Sequence, residues 1–159
     1  MYYVNERLVN LHRIFDQNKR EGYLRLDLNE NPEGLSQEYI DGVLSGVTPE
    51  MVAQYPETLE FTEFLAGRLG TDIEHLSLVN GSSEGIRNII EAFTALGGEI
   101  VCVSPSYAMF EVYSKMYGRD FVPVPYRDDL TITVDDVISK ISDDTQLLIL
   151  VNPNNPMGN

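Results

Sequence analysis

Residues 100–124 decide the fold, and they read IVCVSPSYAMFEVYSKMYGRDFVPV. The apolar run Ile100–Val103 predicts a strand, and Phe121–Val124 predicts a second one. Between them, Tyr107–Tyr117 has the apolar spacing of a helix, and Gly118 stands where such a helix should end. A strand, a helix and a strand in this order form a βαβ unit, whose two strands run parallel.

The same pattern continues on both sides of this unit. Further strands are predicted at Leu76–Val79 and Leu147–Val151, and further helices at Ser83–Leu96 and Asp135–Ile141. Because the strands are apolar throughout and are joined by helices, we expect an α/β fold with a largely parallel sheet and helices on both faces. The last strand would form an edge that no later residue covers, so we also expect the sequence to belong to a longer chain.

The residues that precede the predicted sheet have a different pattern of apolar residues. Val4–Lys19 carries apolar residues at three- and four-residue spacing, which predicts an amphipathic helix that forms an N-terminal arm. Leu24–Leu28 alternates apolar and polar residues like a short strand. Helices are then predicted after Ser36, which can cap one, and over Glu57–Leu69.

Charge and composition exclude several classes of function. The formal net charge of -14 repels nucleic-acid phosphates and anionic membrane surfaces, so we expect neither as a partner. No apolar run approaches the ~20 residues of a spanning helix, and the first residues lack a signal-peptide layout, which favours a cytoplasmic location. The single cysteine, Cys102, lies in an apolar strand and is interpreted as a core residue. His12 and His75 stand far apart, so no metal site is expected.

Ligands of open parallel sheets bind beyond the carboxyl ends of the strands, so the loops there are the candidate sites. After Val79 comes Asn80–Ile86, in which the first turn of a helix offers free amides and the hydroxyls of Ser82 and Ser83. These donors and the positive end of the helix dipole could converge on a phosphate. The segment alone also fits a plain serine N-cap, which is the more common structure.

The loops after the other strands offer two different groups. Tyr107 follows Val103 at the edge of the sheet, where its ring could stack on a flat ligand or simply belong to the core. Asn154 and Asn155 lie between two prolines that hold the backbone extended and turned. An asparagine amide is a neutral donor that can serve an oxyanion.

Taken together, five segments resemble the N-terminal half of class I/II, fold-type I pyridoxal-phosphate aminotransferases, and most of all the histidinol-phosphate aminotransferase branch. The segments are Asn29–Pro32, Tyr55–Pro56, Gly81–Ile86, Pro105–Tyr107 and Asn152–Gly158. The resemblance implies a homodimer that uses pyridoxal 5'-phosphate (PLP) to move an amino group between an amino acid or amino alcohol phosphate and a 2-oxo acid. It also implies that residues 1–35 are an arm and small-domain segment, and residues 36–159 a truncated PLP-binding large domain.

The resemblance assigns roles to particular residues. Ser82 and Ser83 would hold the cofactor phosphate, Tyr107 would stack on the pyridine ring, and Asn155 would donate to the phenolic oxygen of the ring. Tyr55 resembles the tyrosine that reaches the phosphate from the partner subunit. These groups suit three chemically different parts of one cofactor.

Two further implications concern the substrate and the chemistry. Asn31 lies in the segment that approaches the substrate in this family. The lysine that forms the Schiff base has no counterpart among Lys19, Lys115 and Lys140, so this chain holds no catalytic residue of its own. A PLP-dependent decarboxylase or lyase on the same fold, and a non-catalytic α/β module that binds a phosphorylated small molecule, are the alternatives.

Overall fold

The structure, a computed structural model, describes residues 3–9, 11, 22–24, 26 and 28–158. Its helices are α1 Glu6–Val9, α2 Gln37–Ser45, α3 Pro49–Ala53, α4 Leu59–Leu69, α5 Ser82–Phe93, α6 Met109–Met116 and α7 Val134–Ile138, with a 3-10 turn at Ile73–His75. Its strands are β1 Glu99–Ser104, β2 Asp120–Pro125 and β3 Thr145–Ile149.

The chain forms two compact units. Residues 1–13 and 79–159 form one, called here the sheet unit, and residues 14–78 form the other, called the helical unit. The two units are defined by contacts within the chain and do not test a division into domains. The domains expected from the resemblance, residues 1–35 and 36–159, stay a prediction.

A parallel sheet lies at the centre of the sheet unit. The strand order is β2-β1-β3, and β1 pairs in parallel with both neighbours. Val101 of β1 faces Val122 on one side and Leu148 on the other. The predicted α/β fold with its parallel sheet is therefore confirmed, and the apolar run Ile100–Val103 lies in its central strand, which agrees with the full burial of Ile100, Val101 and Cys102.

Helices connect the strands and cover the core. The helix α6 joins β1 to β2 and packs on β2, while α5 contacts α6 and β3, and α7 contacts β1. Ile90 of α5, Phe110 of α6 and Val124 of β2 are buried among them. All three helices were predicted, with ends that differ by one to three residues from the observed ones.

The helical unit contains α2, α3, α4 and the 3-10 turn Ile73–His75. Ser36 caps α2 as predicted, because its side chain accepts a hydrogen bond from the amide of Tyr39. The predicted helix over Glu57–Leu69 is present as α4. The short α3 was missed, although Thr48 as N-cap followed by Pro49 is a recognisable start signal.

The predicted strand Leu76–Val79 is wrong, and the predicted strand Leu24–Leu28 lies partly outside the described residues. Leu76–Val79 belongs to no strand, and neither do the described residues Leu24, Leu26 and Leu28. Leu76–Val79 is mostly apolar and Leu24–Leu28 alternates apolar and polar residues, but a strand also needs a hydrogen-bonded neighbour, and the sheet of the described residues contains only β1, β2 and β3.

The predicted N-terminal arm is described only in part. The helix α1 lies within the predicted Val4–Lys19 and contacts α6 in the sheet unit. Residues 12–20, and with them His12 and Lys19, lie outside the described residues. Within the described ranges, no helix is both long and apolar enough to cross a membrane.

Candidate functional site

The first part of the site is the turn that leads into α5. Gly81 is the N-cap of this helix, with a left-handed φ of 80° and no side-chain cap. Ser82 and Ser83 are therefore the first two helical residues, and the plain serine N-cap considered as an alternative is wrong. Gly85 donates the first intrahelical hydrogen bond, to the carbonyl of Gly81, so the amides ahead of it have no acceptor within the helix.

A carboxylate in the same turn was missed in the sequence. Glu84 accepts a hydrogen bond from the backbone amide of Asn80 at 2.5 Å, and Arg87 lies 3.7 Å from it. The signal for it was present, since a Glu at the third helical position commonly reaches back to an amide at the helix start. Because its carboxylate contacts Asn80 and Arg87, Glu84 stabilises the turn that leads into α5.

The second part of the site is Tyr107, in the loop between β1 and α6. Its hydroxyl lies 3.0 Å from the hydroxyl of Ser83. Its ring packs edge-on against Phe110 of α6, with ring centres 5.8 Å apart and an interplanar angle of 89°. Tyr107 and Ser83 are both half-buried, so the fold brings together two of the residues that the sequence analysis singled out.

The third part is residues 150–158, called here the asparagine loop. Asn155 is exposed, while its neighbour Asn154 is buried, with an exposed fraction of 5%. Asn154 accepts a hydrogen bond from the hydroxyl of Ser106 at 2.8 Å, and Ser106 is adjacent to Tyr107. The asparagine loop is thus attached to the loop that carries Tyr107.

Cys102 lies in the middle of β1, beneath these loops. It is fully buried, and burial raises the pKa of its thiol to about 11, an effect that a hydrogen bond with the side chain of Ser106 partly offsets. A thiol of this kind is protonated at neutral pH and is a poor nucleophile. The interpretation of Cys102 as a core residue agrees with this environment.

The other two predicted site residues belong to the helical unit. Tyr55 is 97% exposed and follows α3. The side chain of Asn31 closes a turn, since Nδ2 donates to the carbonyl of Gly34 at 2.9 Å and Oδ1 accepts from the amide of Glu33 at 3.1 Å. Their roles at a ligand stay predictions.

The remaining lysines of the described residues are surface groups. Lys115 lies in α6 and pairs with Glu111 at 2.5 Å, and Lys140 is exposed. Neither lies in the turn before α5, in the loop before α6 or in the asparagine loop.

A helix start, a tyrosine and an asparagine loop thus lie beyond the strands of a parallel sheet, which is where open α/β sheets generally bind their ligands. The chain belongs to the aminotransferase class I and II family, whose model matches residues 22–159. The predicted family is therefore confirmed.

Curated relatives and solved structures agree with this family. The histidinol-phosphate aminotransferase of Thermoanaerobacter sp. (strain X514) is 36% identical over 137 residues, which cover 84% of this chain and 39% of the relative. The solved histidinol-phosphate aminotransferase from Clostridium acetobutylicum is 30% identical with a TM-score of 0.62, covering 80% of this chain and 37% of that one. The chain spans about two fifths of the length of the curated relatives it matches.

A more distant structure shares the fold. The histidinol-phosphate aminotransferase from Sinorhizobium meliloti, solved in complex with pyridoxal-5'-phosphate, superposes with a TM-score of 0.70 at 21% identity and covers 81% of this chain and 35% of that one.

Proposed function

We propose that the sheet unit binds PLP at the carboxyl end of its strands, as part of a PLP-dependent aminotransferase. The observation that carries this proposal is the contact of 3.0 Å between the hydroxyls of Ser83 and Tyr107. This contact places the start of α5, which can bind a phosphate, next to the ring of Tyr107, which can stack on a pyridine. The family and the PLP complex of the Sinorhizobium relative support the same cofactor.

The helix start fits the phosphate of the cofactor. The unsatisfied amides at the start of α5 and the hydroxyls of Ser82 and Ser83 are donors, and the positive end of the helix dipole favours a dianion. The left-handed Gly81 leaves open space beside the turn, since a Cβ added there meets no atom within 4 Å. Phosphate can therefore approach the backbone closely.

The other contacts fit the ring of the cofactor. Tyr107 offers a flat face for stacking, and its contacts with Ser83 and Phe110 hold the ring in one orientation. The exposed amide of Asn155 can donate to the phenolic oxygen. When bound, PLP supplies an electron sink for chemistry at the carbon that bears the amino group. The residues named here bind and orient the cofactor.

The activity we propose for the whole protein is transfer of an amino group between an amino acid or amino alcohol phosphate and a 2-oxo acid. The names of the relatives support transamination over decarboxylation. Asn31 is proposed to approach the substrate. A purified whole protein that releases CO2 from an amino acid phosphate, without forming a new amino acid from 2-oxoglutarate, would favour the lyase instead.

We further propose that the whole protein is a cytoplasmic homodimer, in which Tyr55 crosses to the partner's phosphate site. Its exposed fraction of 97% leaves the phenol available for such a contact. Sedimentation of the PLP-loaded whole protein tests this, with a dimer expected. An active monomer would contradict the role of Tyr55.

A cofactor titration tests the site itself. We expect PLP to give a saturable visible circular dichroism signal with this chain, since an achiral chromophore becomes optically active when a protein fixes it. Replacing Ser82 and Ser83 by alanine should weaken binding by about tenfold or more, as loss of hydrogen bonds to a charged group does. Ser139→Ala, at an exposed helix end, is the matched control. Equal affinity in all three proteins would contradict the phosphate assignment.

A further inference from the structure

Asn154 uses both ends of its buried side chain. Nδ2 lies 2.9 Å from the carbonyl of Pro105 and 2.9 Å from the hydroxyl of Tyr126, and Oδ1 accepts from the hydroxyl of Ser106 at 2.8 Å. Because the Pro105 carbonyl can only accept, the atom facing it must be the amide nitrogen. The orientation of the amide is therefore fixed by its partners.

These hydrogen bonds connect distant parts of the chain. Pro105 and Ser106 are 49 and 48 positions from Asn154 and belong to the loop after β1, while Tyr126 is 28 positions away and follows β2. The carboxyl ends of β1 and β2 and the asparagine loop thus meet at one side chain. Hydrogen bonds made by a buried side chain hold loops in a single arrangement.

The two residues assigned to the cofactor ring are sequence neighbours of these hydrogen-bonded residues. Tyr107 follows Ser106 directly, and Asn155 follows Asn154 directly. A shift of either loop moves the ring or the amide that they carry. Misplacement of binding groups by a fraction of their contact distance is sufficient to weaken a site.

We propose that Asn154 is a positioning residue, which clamps the loop of Tyr107 to the asparagine loop so that Tyr107 meets the ring face and Asn155 the phenolic oxygen of one ligand. This inference rests on the proposed PLP site. Asn154 itself is turned into the protein and is not assigned a contact with the ligand.

The chemistry requires an amide at this position. Aspartate keeps the acceptor for Ser106 but has no donor for Pro105 and Tyr126, and it adds a charge to a buried place. Alanine removes all three hydrogen bonds, those with Pro105, Ser106 and Tyr126. Both substitutions should loosen the two loops.

The first measurement is amide hydrogen exchange without cofactor. In Asn154→Ala, exchange should become faster in residues 104–108 and 150–158, while α4 in the helical unit keeps its wild-type rate. Tyr126→Phe removes the hydroxyl to which Asn154 donates, leaves the hydrogen bonds of Asn154 with Pro105 and Ser106 in place, and should give a smaller effect at the same loops. Tyr117→Phe is the matched control, because it removes a tyrosine hydroxyl that donates to Glu91 elsewhere in the sheet unit. Unchanged exchange in both loops of Asn154→Ala and Tyr126→Phe would overturn the clamp.

The second measurement is the visible circular dichroism of bound PLP. We expect Asn154→Ala to bind PLP about tenfold more weakly. The ellipticity per mole of bound cofactor should also fall, because looser loops fix the ring less well. A purely structural defect lowers the fraction of folded chain and leaves this ellipticity unchanged.

A double variant decides whether Asn154 and Tyr126 act together. If they do, the loss of PLP affinity in Asn154→Ala with Tyr126→Phe should be smaller than the two single losses combined, since the shared hydrogen bond can be lost only once. Tyr126→Phe indistinguishable from Tyr117→Phe, or full affinity and ellipticity in Asn154→Ala, would overturn the positioning role. A wild-type chain without any PLP signal would instead contradict the proposed function, and with it the inference.

Discussion

The hydroxyls of Ser83 and Tyr107 lie 3.0 Å apart, although the two residues are 24 positions apart in the sequence. Ser83 is in the first turn of α5, and Tyr107 follows the central strand. Their contact therefore fixes the distance between a group of donors for phosphate and an aromatic ring. A ligand that carries a phosphate and a flat ring on one short linker matches this arrangement.

The role of Tyr107 can be separated into its ring and its hydroxyl. Tyr107→Ala removes the stacking face, and we expect PLP affinity to fall by about tenfold, in the range measured for stacked bases. Tyr107→Phe keeps the ring and loses only the contact with Ser83, so its affinity should stay within about threefold of wild type, which is at the low end of the net contribution of one hydrogen bond. Equal losses in both variants would show that the hydroxyl, and not the ring, carries the interaction.

The positions of the lysines predict that this chain alone has no transaminase activity. Covalent PLP chemistry needs an amine held over the cofactor, and Lys115 is engaged by Glu111 on the surface. We expect the 159-residue chain to bind PLP reversibly and not to transaminate. Borohydride reduction in the presence of PLP, followed by digestion and mass spectrometry, should show no lysine labelled in preference to the others. Specific labelling together with turnover would contradict this.

The buried thiol gives a test of the core. Because burial raises the pKa of Cys102 to about 11, almost no thiolate exists at neutral pH, and the side chain is also out of reach of reagents. We expect a thiol reagent to leave the native chain unmodified and to label one cysteine after denaturation. Rapid labelling of the native chain would mean that β1 is not the buried central strand.

The start of α7 gives a prediction about pH. Thr133 donates to Asp136 from its hydroxyl at 2.7 Å and its amide at 2.8 Å, and Arg127 donates at 2.9 Å. These hydrogen bonds lower the pKa of the Asp136 carboxyl below its ordinary 3.8, with the Thr133 hydroxyl as the main cause. A carboxyl with the lower pKa in the folded state stabilises the fold above its unfolded pKa, and this stabilisation is lost as the pH falls through the folded value.

The measurement is the thermal unfolding midpoint of wild type and Asp136→Asn. We expect the wild type to be more stable near neutral pH and the difference to shrink in acid below the ordinary pKa of aspartate. Asp135→Asn, which removes a charge from the same helical turn, is the control for the helix dipole. A difference for Asp136→Asn that does not change with pH would contradict the role of the ionised carboxylate.

Much of the sheet unit follows from the sequence because short apolar runs in it form strands. The runs Ile100–Val103 and Phe121–Val124 are apolar, and both are strands in the structure. The segment Leu76–Val79 has a similar composition and is not a strand. A local pattern cannot report whether a neighbouring strand is available, and that is the property on which a strand depends.

The candidate site follows from the sequence only in part, for a related reason. The motif around Gly81 predicts the start of α5 correctly, because the φ of Gly81 and the free amides that follow it depend on the local sequence. Asn154 and Asn155 are adjacent and chemically identical, yet one is buried and the other exposed. Which of the two turns inward depends on Ser106 and Tyr126, residues distant in the sequence, so the clamp became visible only in three dimensions.

The location of the cofactor is tested most directly by amide chemical shifts. In a titration of the isotopically labelled chain with PLP, we expect the largest changes at the backbone amides of Ser82, Ser83 and Glu84, at Tyr107, and at the side-chain amide of Asn155. Inorganic phosphate should move the amides at the start of α5 and leave the other two groups in place, because it has no ring. Shifts confined to the surface around Lys115 and Lys140, or no saturable shifts at all, would contradict a PLP site at this end of the sheet.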